Sequence, residues 1–386
     1  MTLDHLIKER ALRVALEPVI SIKRKGAVGH VARLRGGTGA EEARAQAATH
    51  GLAVEFDRWF RKEALAAFQA SGRPGLLFLG FDTAVLDLGV AGSGHLANMV
   101  REMALDPSDI VIAIRESKVD DLPALKDFVA RHRTSGFLIA LKDLGVGHSN
   151  LERVALVRPD MLHVGESLVA GLENEFFSQE IMKSLANLSK KIGALLVAEG
   201  VATEQQALAA LDHGVDMLEG PYVGSSPENL GGKIDALSAR HRAISVEKSK
   251  ASQKRVRETE SLLSTLIRAL TALPTSAFDP TLARLVQENP SVECLFILNE
   301  AGIQESETHT RPGVAFKRNA LFHPARPGAD HSMKEYVYLL TDAFVNRYRT
   351  EPYVSQASGN LCVTLSGIFR DASEKNHLLC LDVPWN

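Results

Sequence analysis

Between about residue 12 and residue 230, short runs of Val, Ile and Leu alternate with longer stretches in which apolar residues recur every three or four positions among charges. The short runs, Leu76 to Phe81, Ile110 to Ile114, Phe137 to Leu141, Met161 to Val164 and Leu195 to Ala198, have the length and composition of strands buried on both faces. Val54 to Ala70, Pro123 to Arg133 and Glu175 to Leu188 carry helical spacing. Strands covered on both sides by helices form a largely parallel sheet, and the number of repeats fits a closed α/β barrel better than a single Rossmann half. Gly and Asp directly after several strands put polar groups at the carboxyl-end rim, where barrels build their sites.

The pattern changes near Arg240. Val246 to Arg257 is dominated by Lys, Arg, Glu, Ser and Ala and reads as a solvated helix that runs into the apolar segment Leu262 to Leu273, ended by Pro274. Beyond Phe278, Glu293 to Leu298, Leu361 to Ile368 and His377 to Leu381 read as strands, and Met333 to Tyr348 as a helix. The α/β barrel is therefore expected over 1–238, a charged helical connector over 239–261 and an α+β domain over 262–386. Leu262, Leu263, Leu266, Ile267 and Leu270 form a broad apolar face that must be covered, by the small sheet or by a second copy in a homodimer.

Among 386 residues, 44 Lys and Arg face 47 Asp and Glu, so no general field invites nucleic acid. Cys294, Cys362 and Cys380 lack metal-ligand spacing, sit in apolar strand patterns and cannot all pair, which points to buried thiols in a reducing cytoplasm. Charges at Asp4, Lys8, Glu9 and Arg10 interrupt any signal peptide, and no run approaches the roughly 20 apolar residues of a membrane span.

Two segments are more specific. Ala198, Glu199, Gly200, Val201, Ala202 and Thr203 follow a strand, and Lys142, Asp143, Leu144, Gly145, Val146, Gly147, His148, Ser149, Asn150 and Leu151 follow another. With Arg35, Glu116, Asp160, Gly220 and Tyr222 in order around them, the chain resembles, over about residues 1–235, the bacterial EAL family of cyclic di-GMP phosphodiesterases. The resemblance implies a modified eight-stranded (β/α)8 barrel of the TIM type in which two magnesium or manganese ions activate a water. It also implies losses: Val31 stands where the family has the Glu of its naming motif, Gly80 where it has Asn, Ala113 where it has Glu, and Lys142 where it has the first Asp of a pair. His163 replaces the active-site Lys, Gly165 an acidic residue, Ala202 a Glu and Glu219 a Gln, while Asp143 and Glu199 remain.

With the ligands counted this way, the expectation is no metal, no cofactor and no enzyme: a degenerate, catalytically inactive signalling protein that acts by binding a partner protein or a ligand. Two alternatives stay open. One is a metal-independent cyclic di-GMP receptor using Arg35 and Tyr222, the other a weak cyclic di-GMP phosphodiesterase. Asp143 and Glu199 equally suit turn-shaping hydrogen bonds or a salt bridge to Lys142.

The segment Asn346, Arg347, Tyr348, Arg349, Glu351, Pro352, Tyr353, Val354 and Ser355, with Gly359, Thr364 and Asp382, is similar to Cache-type, PAS-like sensor domains. That resemblance implies a small amine or carboxylate ligand held by Arg347, Arg349, Tyr353 and Asp382. The alternative is structural, with Arg349 paired to Asp382 and Tyr353 capping the core.

Overall fold

The apolar runs become the staves of a barrel. β1 (Arg13–Ser21), β2 (Gly26–Arg35), β3 (Leu76–Asp82), β4 (Ile110–Arg115), β5 (Leu138–Leu144), β6 (Met161–Val164), β7 (Leu195–Ala198) and β8 (Met217–Glu219) close in sequence order. The computed structural model describes residues 5, 7–8, 11–36, 40–82, 94–115, 122–145, 151–224, 229–314, 322–343 and 345–385. Glu116 and the 146–150 part of the Asp143 loop lie outside them.

β1 is antiparallel to both its neighbours, because the few residues between it and β2 permit a hairpin but no crossover. The other neighbouring pairs, from β2 to β8, are parallel. Val19, Val31, Phe78, Val111, Ala113, Ala140, Met161, Val197 and Met217 fill the interior. Alternate residues of the same strands, such as Ile110, Ile112 and Ile114, pack against helices. Burial on both faces is why these strands read as unbroken apolar runs. The helices Ala53–Ala70, Leu122–Thr134 and Phe176–Ile192 fall where the spacing puts them.

The chain divides into two compact units, Met1–Val246 and Glu247–Asn386. The helix Leu230–Leu270 contains the charged stretch. In the second unit, β9 (Cys294–Asn299), β10 (His309–Thr310), β11 (Arg347–Arg349), β12 (Tyr353–Val354), β13 (Leu361–Arg370) and β14 (Asn376–Pro384) form one sheet of order β10-β9-β14-β13-β11, with β12 also on β13. Leu263, Leu266 and Leu270 are buried with Phe278 and Leu282 against one sheet face, through Leu295, Ile297, Leu365 and Leu379. The apolar face that motivated a dimer is thus covered within its own unit. The opposite face, Cys294, Phe296, Leu298, Leu378 and Cys380, packs on Tyr336, Val337 and Leu340.

The helix expected over Met333 to Tyr348 is shorter, Glu335–Thr341. Its buried positions stop at Leu340, and Arg347, Tyr348 and Arg349 alternate exposed, half-buried, exposed, which is strand periodicity. Among the described residues no helix is long and apolar enough to cross a membrane.

Candidate functional site at the barrel rim

Adjacent strands carry four ionisable side chains to one end of the barrel. Lys142 near the end of β5, His163 in β6, Glu199 just after β7 and Glu219 at the end of β8 are 6%, 0%, 6% and 2% exposed. The Lys142 Nζ lies 2.5 Å from Glu199 Oε1 and 4.0 Å from Glu219 Oε1. His163 donates from Nδ1 to the same Glu199 oxygen at 2.7 Å. Burial opposes the Glu199 charge, but the ammonium of Lys142 and the His163 hydrogen bond overcome it and hold the pKa at about 2. Glu219 Oε1 accepts from Arg33 Nη2 at 2.6 Å, and Arg33 Nε lies 3.7 Å from Glu17. Two buried atoms here, His163 Nε2 and Glu219 Oε2, have no hydrogen-bond partner.

His163, Glu199 and Glu219 each offer a ligand atom, and the three atoms lie within 4.8 Å of one another. This corrects the expectation that the metal ligands are missing, and with it the conclusion that the chain is no enzyme. His163 and Glu219 were counted as departures from family residues, whereas by chemistry they are ligand types that barrel closure delivers beside Glu199. Carboxylates with an imidazole suit a divalent ion such as manganese, and the unpartnered Glu219 oxygen gives it a free lone pair. The set therefore fits one ion, with the Lys142 ammonium competing for the same Glu199 oxygen.

Beside the cluster is a cavity of about 80 Å³. Val31, Gly80, Ala113 and Lys142, four of the substituted positions, line it together, joined by Arg33, Arg44 and Arg115. Among the described residues no Asp or Glu lines it. Asp143 takes a left-handed backbone conformation (φ 61°) and turns its carboxylate to Arg115, 3.6 Å away. The loops after β7 and β8 touch through backbone: Val201 donates to the Glu219 carbonyl at 3.0 Å, and a Cβ on Gly220 (φ 139°) would stand 2.3 Å from Val201 N.

Other expected residues lie apart from this cavity. Arg35 is exposed and paired with Glu17. Tyr222 is half-buried, with Lys233 5.7 Å from its ring centroid. Ala202 is exposed and donates its N–H to Gln206 Oε1 at 2.8 Å, beside a capping box in which Thr203 and Gln206 start the helix Glu204–Asp212. Gly165 donates its N–H to the Leu144 carbonyl at 3.2 Å.

In the second unit Asp382 is buried and accepts from Thr364 Oγ1 at 2.6 Å, Ser355 Oγ at 2.9 Å and Cys294 Sγ at 3.3 Å. Burial raises its pKa despite these bonds. Tyr353 joins through Thr364, its hydroxyl 2.6 Å from Oγ1. The arginines do not join: Arg347 donates to Ser264 at 2.8 Å, and Arg349 stacks 5.7 Å from the Trp385 ring centroid.

A family profile for the EAL domain matches residues 2–226, more than half of the chain. The chain belongs to the EAL family. Among curated relatives it is 28% identical over 204 residues to the uncharacterised EAL-domain protein YkuI of Bacillus subtilis, a match covering 51% of this chain and 50% of that protein. It is 25% identical over 134 residues to the cyclic di-GMP phosphodiesterase RocR of Pseudomonas aeruginosa, 34% of each. The chain thus spans half or less of these relatives' length. The crystal structure of YkuI with substrate cyclic di-GMP and calcium has the same fold, with a TM-score of 0.77 at 18% identity, over 100% of this chain and 99% of that one.

Proposed function

We propose that this EAL protein binds cyclic di-GMP at the barrel rim, with a phosphate of the dinucleotide meeting the cationic cavity directly. The observation that carries the reading is the lining: among the described residues Arg33, Arg44, Arg115 and Lys142 face the cavity, while the carboxylates that pair with three of them, Glu219, Asp143 and Glu199, are not among the lining side chains. Cyclic di-GMP presents two phosphodiester anions, and guanidinium groups are shaped for such oxyanions. A cavity of about 80 Å³ holds several waters or one oxyanion, so the bases would lie outside it. That the dinucleotide occupies the crystal structure of YkuI supports the choice of ligand.

Calorimetry on the full chain tests this. Cyclic di-GMP should bind in EDTA, and Arg115→Ala should weaken it by about tenfold or more. Absence of binding at high micromolar concentration removes the reading. The ligand cluster favours a second one, weak metal-dependent hydrolysis. Manganese-dependent appearance of the linear dinucleotide, abolished by Glu199→Ala, would establish it. For residues 262–386 we also propose a sensory role, supported by the half-buried Tyr353 linked through Thr364 to the buried Asp382.

A further inference from the structure

We propose that Lys142 is a built-in competitor for a divalent ion, so that this one side chain sets the metal affinity of the His163, Glu199 and Glu219 cluster. Among the ion pairs of the described residues the ammonium is the one cation that reaches both carboxylates, 2.5 Å from Glu199 and 4.0 Å from Glu219, while Arg33 pairs with Glu219 alone. Glu199 serves it and His163 through one oxygen. An ion entering the cluster must share or take that oxygen, and it meets a positive charge within a few ångströms in a site almost closed to water, where repulsion is poorly screened. Displacement is hindered because Lys142 is itself only 6% exposed. Arg33 already offsets the charge of Glu219, so with Lys142 in place the two carboxylates are balanced before any ion arrives.

The cluster is more than two neighbouring acids. Glu219 Oε2 is buried without a partner, and so is Nε2 of His163, whose other nitrogen engages Glu199. These are atoms that a bound ion or an ordered water would satisfy, and leaving them bare is costly. Substituting Lys142 leaves Glu199 with an uncompensated negative charge and only His163 as partner, so one hard oxygen ligand is released to a divalent ion.

The inference deepens the metal-dependent reading and does not involve the dinucleotide. Its test therefore uses Mn²⁺ alone, read as loss of the free-ion signal in electron paramagnetic resonance on titration of the full chain. Lys142→Met should bind one Mn²⁺ at least about tenfold more tightly than the wild type. Lys142→Gln, which keeps a hydrogen-bond donor for Glu199 and so protects the fold, should show the same direction of change. Lys142→Arg should stay near the wild type, and Glu199→Gln added to Lys142→Met should erase the gain. Equal Mn²⁺ affinity in wild type, Lys142→Met and Lys142→Gln overturns the proposal, as does a gain that survives loss of the Glu199 charge. Either result leaves cyclic di-GMP binding in EDTA, and hydrolysis by the wild type, to stand or fall on their own assays.

Discussion

Glu199→Ala removes the oxygen on which both Lys142 and His163 depend. The pair is buried, with Lys142 and Glu199 each 6% exposed, so its loss leaves an ammonium in low dielectric with Glu219, 4.0 Å away, as its remaining ion-pair partner among the described residues. Truncating one partner of such a pair costs about 3–5 kcal/mol, against about 0–1 kcal/mol for an exposed pair. The double variant Glu199→Ala/Lys142→Met should recover most of the loss, because removing both charges is often close to neutral. Urea unfolding followed by Trp59 fluorescence reads this, since Trp59 lies in the barrel helix Ala53–Ala70 and the only other tryptophan, Trp385, can be changed to Phe. The acid limb gives a second reading. The pKa of Glu199 is depressed from 4.5 to about 2, so its contribution is complete above 4.5 and lost as pH falls from there toward 2. Glu199→Ala should flatten that limb. A single variant within about 1 kcal/mol of wild type, or a double variant as unstable as the single, refutes the buried-pair account.

Asp382→Ala strips three donors of their acceptor and should destabilise the C-terminal unit by about 2–4 kcal/mol in urea unfolding, whereas Asp382→Asn, which keeps an acceptor oxygen, should cost clearly less. Burial, with Arg61 and Arg131 nearby, lowers the His132 pKa from 6.5 even though Phe128 accepts from its ring nitrogen. Its neutral form therefore stabilises the fold above 6.5, and the contribution is lost as pH falls below that value. Barrel melting should drop as pH falls below 6.5, and His132→Phe should reduce the slope. Gly220→Ala forces a Cβ onto Val201 N at φ 139°, and should lower barrel stability by about 1–3 kcal/mol or more in thermal melts.

The barrel was legible because its strands are buried on both faces, so that Ile110 to Ile114 or Leu195 to Ala198 carries the signal alone. The cluster was not, since it depends on closure: His163 and Glu219 come from strands on either side of β7 and look like losses until the ring places them beside Glu199. That Val31, Gly80, Ala113 and Lys142 share one cavity followed from the family resemblance, but its positive lining did not, because Arg33 and Arg44 had no assigned role. Register separates the arginines named for the amine ligand from Asp382 and Tyr353. Asp382 pairs with Thr364 and Tyr353 with Cys362, whereas Arg347 and Arg349 pair with Gly367 and Leu365, the alternate residues of β13. A strand reverses sides at every residue, so the arginines belong to the opposite face of the sheet from Asp382.

A phosphate of cyclic di-GMP should meet protein cations directly at the rim. The most direct test of that contact is a crystal structure of the full chain grown with cyclic di-GMP in EDTA. The phosphate should lie within hydrogen-bond reach of Arg33, Arg115 or Lys142, in the cavity bordered by Val31, Gly80 and Ala113. A dinucleotide bound elsewhere, or one that appears only when Mn²⁺ bridges it to His163, Glu199 and Glu219, contradicts it.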